Sequence, residues 1–348
     1  MSLPAWRTRL NTGTVIPAHP LALTADGRLD ERRQRALTRY YLAAGAGGIA
    51  VGVHTTQFEI RRPDVGLLEP VLALAAATVA EYAQGPVVRV AGICGDTPQA
   101  LTEARLARDL GYDVGLLSPM GWGDASLDAL VAHAAAVADV IPVLGFYLQP
   151  AVGGRELPFS FWLRLFEIEN VVGAKIAPFD RYRTVDVVRA AVEVGRAGEL
   201  ALYTGNDDHI LLDLLTTYRF GDDQPPCTMV GGLLGQWAVW TRRAVEQHVR
   251  CRAIVTQGGP APLDLLTLGA QMTEANAAIF DSRNAFAGCV PGIHRVLGRQ
   301  GLLESERCVD GSACLSPGQG EAIDRVCAAY PDLSDDEFVK EHLASWLA

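Results

Sequence analysis

What most constrains the fold of this chain is a regular alternation of short β-rich runs with longer helical stretches, beginning at Thr12 and continuing past residue 230. That alternation marks βα units laid on a parallel sheet. Eight strand candidates can be read: Gly13–Ala18, Gly48–Val53, Val87–Cys94, Val114–Ser118, Val143–Tyr147, Val171–Ile176, Ala201–Thr204 and Thr228–Val230. Eight strands in one series favour closure into a (β/α)8 TIM barrel over an open α/β sheet. The helical stretches are punctuated as well: Asp30 to Ala44 stops at Gly45, Asp64 to Ala83 at Gly85, and Thr97 to Leu110 at Gly111, with a further stretch from Asp124 to Ala138. A polar residue at the start caps free amides, and a glycine past the end allows the left-handed residue that closes a helix.

A barrel fills about 250 residues, and this chain has 348. After Gly235 a helix is expected to about Val249, then helical regions at Leu263–Leu297 and Pro317–Ala348, separated by the polar segment VDGSACLSPGQG. The expected organisation is therefore a barrel over residues 1–250 and a C-terminal helical extension over 251–348 packed on it.

Composition excludes several classes of function. Apolar residues make up 49% of the chain and charged ones 20%, which describes a folded core. The net charge of −10 leaves no basic stripe for a nucleic acid. Seven cysteines include no C-x-x-C pair and read as reduced thiols of a cytoplasmic protein. The opening MSLPAWRTRL leads into no apolar signal region, and the longest apolar stretch, VLALAAATVA from Val71, is too short to cross a bilayer.

The chemistry is marked by scarcity. Of 30 basic residues only Lys175 and Lys340 are lysine. Lys340 lies in DDEFVKEHL, a charged helix surface where arginine would serve equally. Lys175 lies in VVGAKIAP, an apolar strand where any charge is costly. Arginine does not deprotonate there, whereas a desolvated lysine becomes an amine nucleophile toward carbonyl carbon. One strand earlier, GFYLQP places Tyr147 at the C-terminal end of the fifth strand, where these barrels assemble their sites and where a phenol can relay protons.

The pair Tyr147 in Y-L-Q-P and Lys175 in V-V-G-A-K, 28 positions apart on consecutive strands, resembles the dihydrodipicolinate synthase/N-acetylneuraminate lyase family of class I aldolases. The opening GTVIPAHPLALTADGRLDE and the turn YTGNDD at Tyr203–Asp208 are similar to that family's first strand and its turn after strand seven; VGGLLG at Val230–Gly235 is a weaker match. The resemblance implies Lys175 as the Schiff-base lysine and Tyr147 as its proton relay. It also implies substrate contacts from His54, Thr55, Thr56, Gly205, Asn206, Gly232 and Leu233, no cofactor, and a homo-oligomer, dimer or tetramer.

Departures from the family narrow the reading. Where the family has G-T-T-G-E after strand two, this chain has GVHTTQFE, so His54 to Thr56 would hold the substrate carboxylate through hydroxyls and turn amides. An arginine for a second carboxylate is replaced by Val152, and tyrosines after strand four by Met120 and Gly121. Asp207 and Asp208 read as helix caps, with Asn206 the stronger site candidate, and the Trp237/Trp240 pair reads as packing. GAGG at Gly45–Gly48 runs from helix to strand, opposite to a dinucleotide loop. His19 and His54 with Asp96 or Asp207 form an alternative, metal-dependent reading, and a non-catalytic barrel that binds a small acid is another. The expected activity is a lyase acting on pyruvate or a related 2-oxo acid by aldol cleavage or condensation, with dehydration of a sugar acid as the alternative outcome.

Overall fold

The computed structural model describes residues 3–348. Eight strands form one parallel sheet: β1 (Val15–Pro17), β2 (Gly48–Val51), β3 (Val88–Ile93), β4 (Val114–Leu117), β5 (Val143–Tyr147), β6 (Val171–Ile176), β7 (Ala201–Thr204) and β8 (Gly231–Leu234). Each pairs with its neighbour, and β8 returns to β1. A parallel bridge between Ala18 and Ala50 closes the ring, with the His19 amide donating to the Ala50 carbonyl at 2.8 Å. The result is a TIM barrel.

Both faces of these strands are buried, so they read as apolar runs. Ile16, Val90, Leu116, Leu144, Val172 and Leu233 fill the barrel. Their alternate neighbours pack outward against the helices. Those helices are α2 (Glu31–Ala44), α3 (Leu68–Tyr82), α4 (Thr97–Asp109), α5 (Leu127–Ala138), α6 (Phe159–Glu167), α7 (Arg181–Glu193), the short α8 (Ile210–Leu215) and α9 (Thr241–Gln257). Asp30, Asp96, Ser126 and Asp180 cap their helices by accepting from backbone amides three residues on, as polar residues at these positions should.

Three features depart from expectation. A helix α1 (Ala5–Thr12) precedes the barrel and plugs its N-terminal end: Leu10 enters the interior, and its carbonyl accepts from the Tyr203 hydroxyl at 2.8 Å. The eighth strand is Gly231–Leu234, not Thr228–Val230; Cys227–Thr228 instead pairs antiparallel with Thr217–Tyr218 in a small ribbon. The helical region expected over Leu263–Leu297 is two helices with a break between them, α10 (Leu263–Ile279) and α11 (Cys289–Arg299). In the break, Asp281, Ala285 and Phe286 all take left-handed backbone, which an α-helix does not accommodate.

The last helices, α12 (Gln319–Ala329) and α13 (Asp336–Leu347), lie against α10 and α2 respectively. Of these two, α13 rests on the barrel helix α2, and α12 on α10 and α11. Among the described residues no helix is long and apolar enough to cross a membrane.

Candidate active site

Strand β6 carries Lys175 into the barrel mouth. Ala177, two residues on, faces the same way, while Ala174 and Ile176 face the helices, following the two-residue period of a strand. Lys175 is 8% exposed, and its Nζ stands 4.4 Å from the centre of the Phe146 ring. Among the described residues no carboxylate lies within ion-pair reach of it. Burial pulls its pKa down to about 8, against the opposing charge of Asp207. An amine so placed is in part free base near neutral pH.

Gly205, in the turn after β7, is what lets the lysine through. A Cβ there would come 2.7 Å from Lys175 Cε and 2.8 Å from Ala177 Cβ. Gly205→Ala is therefore expected to displace the amine by a fraction of an ångström and slow its reaction by about 10²-fold with the fold retained. Circular dichroism together with the rate of imine trapping checks this.

Asp207 lines the same cavity. Burial lifts its carboxyl to about 7, opposed by the charge of Lys175, and it accepts from the Gln236 amide at 3.3 Å. It does not cap α8, which begins at Ile210 with His209 before it. Helix α10 pins this turn, Asn276 donating to the Asp207 carbonyl at 2.6 Å and Thr273 to that of Asp208 at 2.8 Å.

Asn206, expected at the substrate, is instead fully buried beneath the site. Its side chain accepts from the Phe179 amide at 3.0 Å and donates to Asp213 at 2.9 Å and Thr184 at 3.3 Å. It thereby holds Phe179, a cavity residue in left-handed backbone. Such a conformation costs about 1–3 kcal/mol in a bulky residue and persists only where its surroundings impose it.

Tyr147 does not meet Lys175. The residue paired with Lys175 is Phe146, and Tyr147 pairs with Ile176. Paired residues of a sheet share a face, so Phe146 looks inward and Tyr147 outward. The Tyr147 ring packs on Trp162, and its hydroxyl accepts from the Leu157 amide at 3.3 Å and from Arg183 at 3.4 Å. The pairing reflects a register shift between β5 and β6 at Val143/Leu144, which offsets every later pair by one residue, so that Phe146 rather than Tyr147 shares the face of Lys175.

The turn after β2 is a 3-10 segment, His54–Thr56. His54 lines the cavity with an imidazole whose pKa is lowered to about 4 by burial and by the charge of Lys175. The hydroxyl hydrogens of both threonines are already engaged: Thr55 donates to Ala18 at 2.8 Å and Thr56 to His19 at 2.7 Å. Thr56 also accepts from the Gly52 amide at 2.9 Å and is a brace rather than a lining residue. The amides of His54 and Thr55 open the 3-10 segment and have no partner within it.

Gly232 and Leu233 lie deeper in β8, outside the cavity. A Cβ on Gly232 would strike the Trp237 ring at 2.6 Å, and Leu233 fills the barrel interior. Gly235 reaches the mouth in their place. His19 is committed to the core through Thr38, Pro20 and Gln34, and Asp96 caps α4, so the alternative metal set is not gathered around one point.

Several lining residues carried no recognisable signal in the sequence. Phe280 and Phe286, from the break between α10 and α11, and Cys289, the first residue of α11, also line the cavity. Asp281 fixes that break by accepting from the Gly288 amide at 3.1 Å and from Asn284 at 2.6 Å. Gln319, from the polar segment, donates to the carbonyls of Ile279 and Gly288 at 3.1 and 3.0 Å. Phe286 meets Phe179 edge to face at 5.6 Å.

The profile of the dihydrodipicolinate synthetase family matches residues 11–218, more than half of the chain. The chain belongs to this family. Members of the dihydrodipicolinate synthetase and N-acetylneuraminate lyase group are lyases of the class I type, synthases and aldolases. A curated relative, the 4-hydroxy-tetrahydrodipicolinate synthase of Aromatoleum aromaticum, is 30% identical over 195 residues, 56% of this chain and 61% of that enzyme. The chain thus matches less than two thirds of that relative's length. A prophage protein of the dihydrodipicolinic acid synthase family from E. coli K12, solved with pyruvate, superposes with a TM-score of 0.74 at 16% identity, covering 92% of this chain and 98% of that one. The N-acetylneuraminate lyase of Fusobacterium nucleatum, also solved with pyruvate, gives a TM-score of 0.68 at 16% identity, covering 93% and 99%. At these identities the two structures establish the shared fold.

Proposed function

We propose that this chain forms a Schiff base between Lys175 and pyruvate or a close 2-oxo acid, and makes or breaks a carbon–carbon bond beside it. The observation that carries the proposal is a desolvated amine with no ion-pair partner within reach among the described residues, held at the C-terminal mouth of the barrel with Asp207 in the same cavity. Family membership and pyruvate in two structural neighbours support the choice of 2-oxo acid.

The free-base amine attacks the ketone carbon. The carbinolamine loses water, and the resulting iminium draws electrons from the adjacent carbon. Asp207 takes the proton released there to give an enamine. A carboxyl lifted toward 7 by burial suits a group that must both accept and return protons. The 2-oxo acid's carboxylate is received by the amides of His54 and Thr55, and the neutral imidazole of His54 lends a hydrogen bond without adding charge.

Formation of the enamine exchanges the methyl protons of pyruvate with solvent, so proton NMR in deuterium oxide tests the proposal without a second substrate. Loss of the methyl signal at a rate proportional to protein supports it, and its persistence contradicts it. The rate is expected to rise as pH passes through 7 and 8, since both Asp207 and Lys175 act deprotonated. An ordinary lysine would push that rise above pH 10.

A further inference from the structure

The apolar part of the cavity lining speaks to the partner of the 2-oxo acid. Val152, Leu148, Phe179, Phe280 and Phe286 belong to it. Gln149, which lines the cavity beside them, is used locally, donating to the Pro178 carbonyl at 3.2 Å and accepting from the Ala151 amide at 3.3 Å. Among the described residues that line the cavity there is no arginine. Three arginines near this rim in sequence are committed elsewhere: Arg181 pairs with Asp213, Arg183 with Glu156, and Arg155 donates to the carbonyls of Trp122 and Ala125 at 3.2 and 3.0 Å; Arg283, between Phe280 and Phe286, lines a separate pocket with Glu274 and Asp281.

A carboxylate or phosphate entering this space would lose its hydration without gaining a cation, and a polyhydroxylated chain would leave most of its hydroxyls unpaired. An alkyl or aryl group would meet matching surface, and the edge-to-face Phe179–Phe286 pair offers a fixed aromatic wall. Both residues sit in left-handed backbone, so the shape of that wall is imposed by the fold.

Resting on the Schiff-base reading above, we infer that the second substrate is an uncharged, apolar aldehyde, aryl or branched alkyl. The former methyl carbon of pyruvate, as the enamine, attacks the aldehyde carbon. The carbonyl pair moves to oxygen, which takes one proton. Water then adds to the iminium, restoring the Lys175 amine and releasing a 4-hydroxy-2-oxo acid with an apolar C4 substituent. Cleavage is the same sequence reversed.

The test is a competition among aldehydes on the purified full chain with pyruvate: benzaldehyde, 3-methylbutanal, glyceraldehyde and succinic semialdehyde, with kcat/KM from product chromatography. The two apolar aldehydes are expected to lead the others by about tenfold or more. Val152→Arg is expected to move the benzaldehyde to succinic semialdehyde ratio about tenfold toward the carboxylate. Because a ratio is read, partial loss of folded protein does not affect it, and Val152→Lys repeats the test with a different cation. A leading polar or charged aldehyde, no turnover of either apolar one, or an unmoved ratio in both variants overturns the inference while pyruvate exchange still stands. Absence of that exchange removes the Schiff-base reading itself, and this inference with it.

Discussion

Lys175→Ala is expected to abolish deuterium exchange into pyruvate, by at least about four orders of magnitude, and Lys175→Arg is expected not to restore it. The amine supplies the covalent bond, and among the described residues no other primary amine lines the cavity. Arginine would keep the charge and much of the volume, but a guanidinium stays protonated at any pH the fold tolerates and cannot add to a ketone. The alanine variant should not unfold the chain, because the Nζ makes no protein hydrogen bond among the described residues and its removal relieves a buried charge, whereas the arginine variant retains a buried charge and is expected to be the less stable of the two. Thermal unfolding followed beside the NMR assay separates loss of chemistry from loss of structure. Residual exchange in the alanine variant above the buffer rate would mean another group forms the enamine.

Asp207→Asn is expected to slow exchange by about 10²–10⁴-fold, the usual contribution of a positioned acid–base group, whereas Tyr147→Phe should change it by less than about threefold. The contrast follows from facing. Asp207 shares the cavity with Lys175, while the Tyr147 hydroxyl spends itself on Leu157 and Arg183 behind the strand. Losing that hydroxyl should appear in stability, at about 1 kcal/mol for the bonds removed. The opposite pattern, a crippled Tyr147→Phe and an active Asp207→Asn, would return the proton relay to the tyrosine that the 28-residue spacing singles out.

The barrel was legible in the sequence because eight apolar runs separated by capped helices leave little else to fold into. Lys175 was legible because a chain that avoids lysine placed one on an apolar strand. The outward facing of Tyr147 is something spacing cannot reveal: facing alternates every residue along a strand, and one shifted pair at Val143/Leu144 decides it. The eighth strand was misplaced because Gly231 and Gly232 have weak strand propensity next to the β-rich Cys-Thr-Met-Val run. The structure needs those glycines where Trp237 and the Thr14 backbone approach closely.

Asp207 was read as a cap because aspartates after a strand usually are, and only the late start of α8 at Ile210 tells otherwise. The lining segment from Phe280 to Cys289 could not be read at all. It lies about a hundred residues from Lys175 along the chain, and it reaches the site through a left-handed break secured by Asp281 and Gln319, contacts that have no local sequence pattern.

The central claim is a covalent bond at one atom, and borohydride reduction in the presence of pyruvate tests it most directly. Peptide mass mapping is expected to find one reduced pyruvate on the peptide containing Lys175 and none on that containing Lys340. Protein that gains no mass, or gains it at any residue other than Lys175, would contradict the account.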